Sequence, residues 1–225
     1  TVRVAKTVVV VAGGDPVPAG QIAQLANCVP DDAPVVAADS GVDVALTLGL
    51  RVHVAVGDFD SVSPEGLAAV EAGGARVVRH PVAKDATDLE LAVGEAVALG
   101  ATDVLVLGGA GGRLDHLLAG VLALAAPAWR SLRIQARLGD ATLHVLHGPT
   151  ELQLRGRAGQ LLTLLPVGGP ARGVRTGGLR YPLRGEELGA GTTRGVSNVL
   201  DDDEATVALD DGTLLVVLPG DEPSS

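Results

Sequence analysis

The sequence predicts a parallel α/β sheet followed by a small all-β domain. Up to about Gly139, short β-branched runs alternate with longer helical patterns, the signature of a parallel sheet with helices on both faces. Each run ends in a polar or glycine-rich turn before the next helix begins. Beyond Gly139 the helical periodicity disappears, and short apolar runs alternate with Gly, Pro and Asp turns. The expected division is a Rossmann-like domain over residues 1–140 and a β-sandwich over residues 141–225.

Taken in order, the strands of the first domain are expected at Val8–Val11, Val35–Ala38, Val52–Val56, Arg76–Arg79, Val104–Leu107 and Leu132–Ala136. Helices are expected at Ala19–Asn27, Val42–Leu48, Pro64–Ala72, Asp88–Leu99 and Leu114–Ala125. The turns between them are Gly13-Gly14-Asp15, Asp39-Ser40-Gly41, Gly57–Ser61, Lys84–Asp88 and Gly108–Gly112. Parallel strands point one way, so all these turns emerge at one sheet edge, where open α/β sheets bind ligands. In the second domain, strands are expected at Leu143–Leu146, Leu161–Pro166, Leu179–Leu183, Ala205–Leu209 and Leu214–Leu218. Asp210-Asp211-Gly212 reads as a hairpin-like turn between the last two.

Composition narrows the function. Of 225 residues 47% are apolar, enough for a sizeable core, and the only aromatics are Phe59, Trp129 and Tyr181. A net charge of −10 argues against nonspecific binding to nucleic acid or anionic membrane. No apolar run reaches the roughly 20 residues of a membrane helix, and no signal-peptide pattern opens the chain. A single cysteine, Cys28, cannot form an internal disulfide, which fits the cytoplasm and excludes a cysteine metal cluster. The absence of Met reads as a trimmed start.

The chemistry concentrates in the turns. Gly57-Asp58-Phe59-Asp60-Ser61 puts two carboxylates at the ligand edge. Carboxylates this close repel, and a cation between them relieves the repulsion. Few hard oxygen ligands suit Mg²⁺ held together with substrate phosphates. The structural alternative is an acidic loop leading into a helix capped by Ser61 or Ser63. In Lys84–Glu90, KDATDLE, Thr87 and Glu90 have capping-box spacing, and Asp88 suits a first helical turn without any ligand. The functional reading adds Asp88 to the metal site, faces Lys84 toward a phosphate and sets Asp85 and Thr87 beside the nucleotide. Lys84 stands out because Lys6 is the only other lysine, against fifteen arginines.

Gly108–His116, GGAGGRLDH, carries four glycines between a strand and a helix, a setting for backbone N–H groups to meet an anion. Tight turns use glycine as well. Arg113 offers a planar donor fork for phosphate. Asp115 could orient Arg113, join the metal shell or accept a proton from a hydroxyl nucleophile. His116 is either part of this nucleotide-side group, with Gly111 and Gly112, or an ordinary polar residue of the helix start. Asp39 stands at the same edge, where it would otherwise be a helix cap. Ser197-Asn198 alone reads as a turn, and Asp201–Glu204 as a solvated loop.

Together the stretches ADSG at Ala38–Gly41, VGDFDS at Val56–Ser61, KDATDLE at Lys84–Glu90 and GGAGGRLDH at Gly108–His116 resemble, in order, the motifs of thiamine pyrophosphokinases. GGLRYPL at Gly177–Leu183 and GVSN at Gly195–Asn198 resemble that family's β domain. The resemblance implies transfer of a pyrophosphoryl group from ATP to the thiamine hydroxyl, with Mg²⁺, releasing AMP, in a homodimer. It implies metal ligands at Asp58, Asp60 and Asp88 with Asp39 near them, nucleotide contacts at Arg113 and Asp115, and vitamin contacts at Ser197 and Asn198. Where the family commonly has ADGG this chain has ADSG, and its β domain offers Tyr181 alone for an aromatic contact. A same-fold pyrophosphokinase acting on another hydroxylated heterocycle is the alternative; a non-enzymatic nucleotide-binding protein is a second.

Overall fold

The computed structural model describes residues 6–83 and 85–220. The chain divides into two compact units. One takes in the chain up to Leu124 together with Ile134–Gly139; the other takes Ala125–Arg133 and the chain from Asp140 on.

The first unit is built from β1 (Thr7–Ala12), α1 (Ala19–Ala26), β2 (Val35–Ala38), α2 (Gly41–Thr47), β3 (Val54–Gly57), α3 (Pro64–Ala72), β4 (Arg76–Arg79), α4 (Asp88–Ala98), β5 (Asp103–Gly108), α5 (Leu114–Leu124) and β6 (Arg133–Leu138). Its strands lie in the order β6-β5-β1-β2-β3-β4. The pairs from β5 through β4 are all parallel. A strand covered on both faces needs no polar side, which is why Val8–Val11 can be uninterrupted valine and completely buried. Val9 and Val11 face a cluster that includes Leu25 of α1, Val42 and Ala45 of α2 and Val70 of α3. Against β1, β2 and β3 also packs α4, whose buried Ala92, Val93 and Ala96 lie outside that cluster; it covers the other face.

The order has one consequence for ligand binding. From β1 the chain steps outward through β2, β3 and β4, then returns to place β5 on the other side of β1. Between β1 and β5 the connections diverge, leaving a crevice at their carboxyl ends.

The second unit contains β7 (Ala141–His147), β8 (Thr150–Arg155), β9 (Leu161–Pro166), β10 (Ala171–Gly177), β11 (Arg184–Leu188), β12 (Asn198–Val199), β13 (Glu204–Leu209) and β14 (Thr213–Leu218). One of its sheets runs β12-β9-β14-β7 and the other β11-β10-β13-β8. Both are antiparallel. Leu162, Leu164, Leu214 and Val216 of the first share one core with Leu154, Val174, Leu188 and Val207 of the second, as in a sandwich.

Two expectations need correction here. Leu179–Leu183 is a loop with a single bridge from Leu179 to Leu200, since Pro182 has no N–H to donate to a ladder. Asp210-Asp211-Gly212 is not a hairpin turn: β13 and β14 belong to different sheets, so it crosses the sandwich. Among the described residues, no helix is long and apolar enough to span a membrane.

Candidate functional site

Three turns bring carboxylates together at the ligand edge of the first unit. Val56 pairs with Ala38 across β2 and β3, and the Asp39 N–H donates to the Val56 carbonyl at 2.9 Å. The residues that follow each strand are therefore neighbours. Asp39, Asp58 and Asp60 each offer a carboxylate oxygen, and these oxygens all lie within 4.8 Å of one another. Gly57 has φ 152°, and a Cβ built there would stand 3.1 Å from Asp88 Oδ1 and 3.2 Å from the Asp39 Cα. Only glycine leaves both of those residues their place.

The backbone is strained at the same points. Among the described residues, the non-glycines with positive φ are Asp39 (44°), Phe59 (61°) and Ser197 (56°), and each falls in a motif stretch read from the sequence. Asp tolerates this region; a bulky Phe does so only where its surroundings hold it. Phe59 packs with the α1–α3 side of the core, and the Arg79 guanidinium lies over its ring at 5.1 Å.

Electrostatics sets Asp39 apart. Burial, followed by the nearby Asp88, Asp58 and Asp60 charges, outweighs a hydrogen bond from the Ser40 backbone and raises its pKa above the usual carboxylate range. Its Oδ1 is buried with no hydrogen-bond partner among the described residues. A buried oxygen without a donor is costly, and a divalent cation among the three carboxylates would supply what it lacks. The donor set is all carboxylate oxygen, which fits Mg²⁺. The set expected from the sequence is Asp58, Asp60 and Asp88 with Asp39 near them. The structure brings Asp39 together with Asp58 and Asp60 and has Asp88 next to Asp39; the closeness of Asp39 follows from the turn geometry.

At the crevice the glycine loop meets the turn after β1. Gly108, Gly109, Gly111 and Gly112 all have positive φ, from 64° to 84°. A Cβ on Gly111 would collide with the Asp15 carboxylate, and the Asp15 N–H donates to the Ala110 carbonyl at 3.0 Å. Beyond this loop, Arg113 forms a two-pronged pair with Asp115, Nε to Oδ1 at 3.1 Å and Nη2 to Oδ2 at 2.6 Å. That bonding holds the Asp115 carboxyl below its usual range and raises Arg113 above its own. Of the roles open to Asp115, the two-pronged bond is the geometry of the one that orients Arg113. His116 is exposed on the first turn of α5.

Thr87 and Glu90 form the capping box. Glu90 N–H donates to Thr87 Oγ1 at 3.3 Å, and the Thr87 N–H and hydroxyl both donate to Glu90 Oε2 at 3.0 Å. The Thr87 side chain is thus engaged in starting α4. Asp85 is exposed in the loop before it, and Lys84 lies outside the described residues. The other lysine, Lys6, donates to the Leu99 carbonyl at the end of α4, a structural contact.

In the second unit, Ser197 and Asn198 differ sharply. Ser197 is exposed, and its N–H donates to Thr163 Oγ1 at 3.0 Å. Asn198 is only 4% exposed. Its Oδ1 accepts from the Tyr181 N–H at 3.0 Å and from the Val199 N–H at 2.9 Å, and its Nδ2 donates to the Tyr181 carbonyl at 2.7 Å. Asn198 thereby fixes the GGLRYPL loop, leaving the Tyr181 side chain 62% exposed.

Known proteins carry the same layout. The family model described as "Thiamin pyrophosphokinase, catalytic domain" matches residues 26–136, and "Thiamin pyrophosphokinase, vitamin B1 binding domain" matches residues 144–214. The chain is 26% identical to a thiamine pyrophosphokinase of Bacillus subtilis, over 94% of this chain and 98% of that one. A crystal structure of thiamine pyrophosphokinase from the same species superposes with a TM-score of 0.82 at 25% identity, covering 96% of this chain and 100% of the other. The yeast thiamin pyrophosphokinase structure, at 13% identity and TM-score 0.71 over 95% and 86% of the two chains, shares the fold. With both domain models matched in order and most of the sequence covered, the chain belongs to the thiamin pyrophosphokinase family of enzymes.

Proposed function

We propose that the chain transfers a pyrophosphoryl group from ATP to the hydroxyl of thiamine, yielding thiamine diphosphate and AMP. The observation that carries this beyond family membership is that carboxylate oxygens of Asp39, Asp58 and Asp60 lie within 4.8 Å of one another, while Asp39 Oδ1 is buried without a donor among the described residues. In this reading Asp39, Asp58 and Asp60, with Asp88 adjacent, hold Mg²⁺. Bound there, the ion would neutralise charge on the phosphate oxygens. From the β1–β5 crevice to the end of β3 is about two and a half strand spacings, roughly 12 Å, a path along which an extended nucleotide can lie.

The residues of this chain then bind and orient. The thiamine hydroxyl oxygen bonds to the β-phosphorus as that phosphorus separates from the α–β bridging oxygen, and AMP leaves. Such a transfer needs in-line placement and charge stabilisation, and little covalent work by the protein. Arg113, held by Asp115, presents cationic donors to the phosphates, and we assign Lys84 the same task from the sequence. The 108–112 loop brings backbone close to the nucleotide, with Asp85 and His116 at its margin. We assign residues 1–140 to ATP and Mg²⁺ and residues 141–225 to thiamine, with Ser197 and the Asn198-braced Tyr181 loop on the vitamin side. Family resemblance supports a homodimer, and the single cysteine supports a cytoplasmic location.

The scarcity of aromatics, with Tyr181 alone beyond residue 140, favours one second reading, the same reaction on another hydroxylated heterocycle. The test is AMP release from ATP and Mg²⁺ with a panel of hydroxylated heterocycles. Release with thiamine supports the first reading and release only with another acceptor the second. No release with any of them contradicts both.

A further inference from the structure

The loop that carries Asp58 and Asp60 is anchored at both ends, and the second anchor is a carboxylate outside every motif. At its start, Gly57 pairs with Arg79 of β4, and the His80 N–H donates to the Gly57 carbonyl at 2.9 Å. At its end, Asp43 of α2 accepts from the Ser63 N–H at 2.9 Å and from the Ser63 hydroxyl at 2.5 Å. The same hydroxyl oxygen accepts from the Gly66 N–H at 3.0 Å and so caps α3. The fit is close: a Cβ on Gly66 would collide with both Asp43 Oδ1 and Ser63 Oγ.

Asp43 stands in the first turn of the helix that begins just after Asp39. The Val42 N–H donates to the Asp39 carbonyl at 3.0 Å, tying that turn to the helix start. One side chain thus couples the turn bearing Asp39 to the loop bearing Asp58 and Asp60. A carboxylate suits the task, since it accepts two bonds and brings no donor of its own. The loop also holds Phe59 in a left-handed conformation, which persists only where surrounding contacts impose it.

We infer that Asp43 is a positioning residue for the acidic cluster: through Ser63 it holds the Asp58–Asp60 loop against the Asp39 turn. This rests on the metal reading above. Groups that orient a metal's ligands change its affinity when removed, commonly by 10- to 100-fold.

The test is direct binding of Mn²⁺ alone, a spectroscopically visible stand-in for Mg²⁺, followed by the loss of its free-ion paramagnetic signal below the melting range. Asp43→Ala should weaken binding about tenfold, and Asp43→Asn, which keeps one acceptor oxygen, should recover part of the loss. Ser63→Ala leaves Asp43 in place but removes its hydroxyl partner, and should weaken binding in the same direction. Asp58→Asn serves as the reference for loss of a ligand. If Asp58→Asn loses Mn²⁺ while the folded Asp43→Ala binds like wild type, Asp43 is a structural tie only and the inference is overturned. Should Asp43→Ala fail to fold, unchanged binding by Ser63→Ala overturns it equally. If wild type does not bind, or Asp58→Asn binds as well as wild type, the metal reading falls and takes this inference with it.

Discussion

Asp39 pays for its position in stability: burial and three neighbouring carboxylates disfavour its charged form. Its folded pKa is raised, so the protonated form is favoured at low pH, and the penalty grows as pH rises above the unfolded value and is complete once pH passes the folded one. Without metal, Asp39→Asn should therefore melt a few degrees higher than wild type at pH 7. That advantage should vanish as pH falls below about 4, the unperturbed Asp value. Adding Mg²⁺ should raise the melting temperature of wild type and not of the variant. Thermal melts across pH, with and without Mg²⁺, check all three. The conformation behind this effect could not be read from the sequence, because a φ of 44° leaves no mark in Ala38-Asp39-Ser40-Gly41. Likewise, nothing in Gly195–Asn198 distinguishes an exposed Ser197 from an inward Asn198.

At the scale of elements, Thr87 and Gly111 offer contrasting tests. Thr87→Ala removes a helix cap and should cost about 1 kcal/mol of stability, with kcat nearly unchanged. A large fall in kcat at full folding would instead support Thr87 as a nucleotide contact. Gly111→Ala puts a Cβ on a residue with φ 76° and against the Asp15 carboxylate. It should cost about 1–2 kcal/mol and raise the KM for ATP more than that for thiamine. Denaturant melts and two-substrate kinetics separate these effects.

The same scale shows what was legible. The parallel strands stand out because burial on both faces demands unbroken apolar runs, as in Val8–Val11. Pro64 after Ser63 and Thr87 before Glu90 mark helix starts through local chemistry. The sandwich edges were hidden for the converse reason. Thr150–Arg155 buries only Leu154, and Arg184–Leu188 only Leu188, so their sequences look like polar loops. Leu179–Leu183 erred the other way, its apolar residues serving a loop braced by Asn198.

For the molecule as a whole, charge is the governing quantity. A chain of net charge −10 should not attract ATP unaided, and the acidic cluster makes the approach of phosphates worse. Nucleotide binding should therefore depend on the divalent ion: chelation should weaken ATP binding at least about tenfold, one charge-mediated contact of about 1.4 kcal/mol. Titration calorimetry with Mg²⁺ or with EDTA would show it. The most direct test remains one incubation of the purified chain with ATP, Mg²⁺ and thiamine, run beside Asp58→Asn, with nucleotide and vitamin products quantified together. Equal amounts of AMP and thiamine diphosphate from wild type, and at least about a hundredfold less from the variant, are the expected result. ADP with thiamine monophosphate, or undiminished turnover by Asp58→Asn, would contradict it.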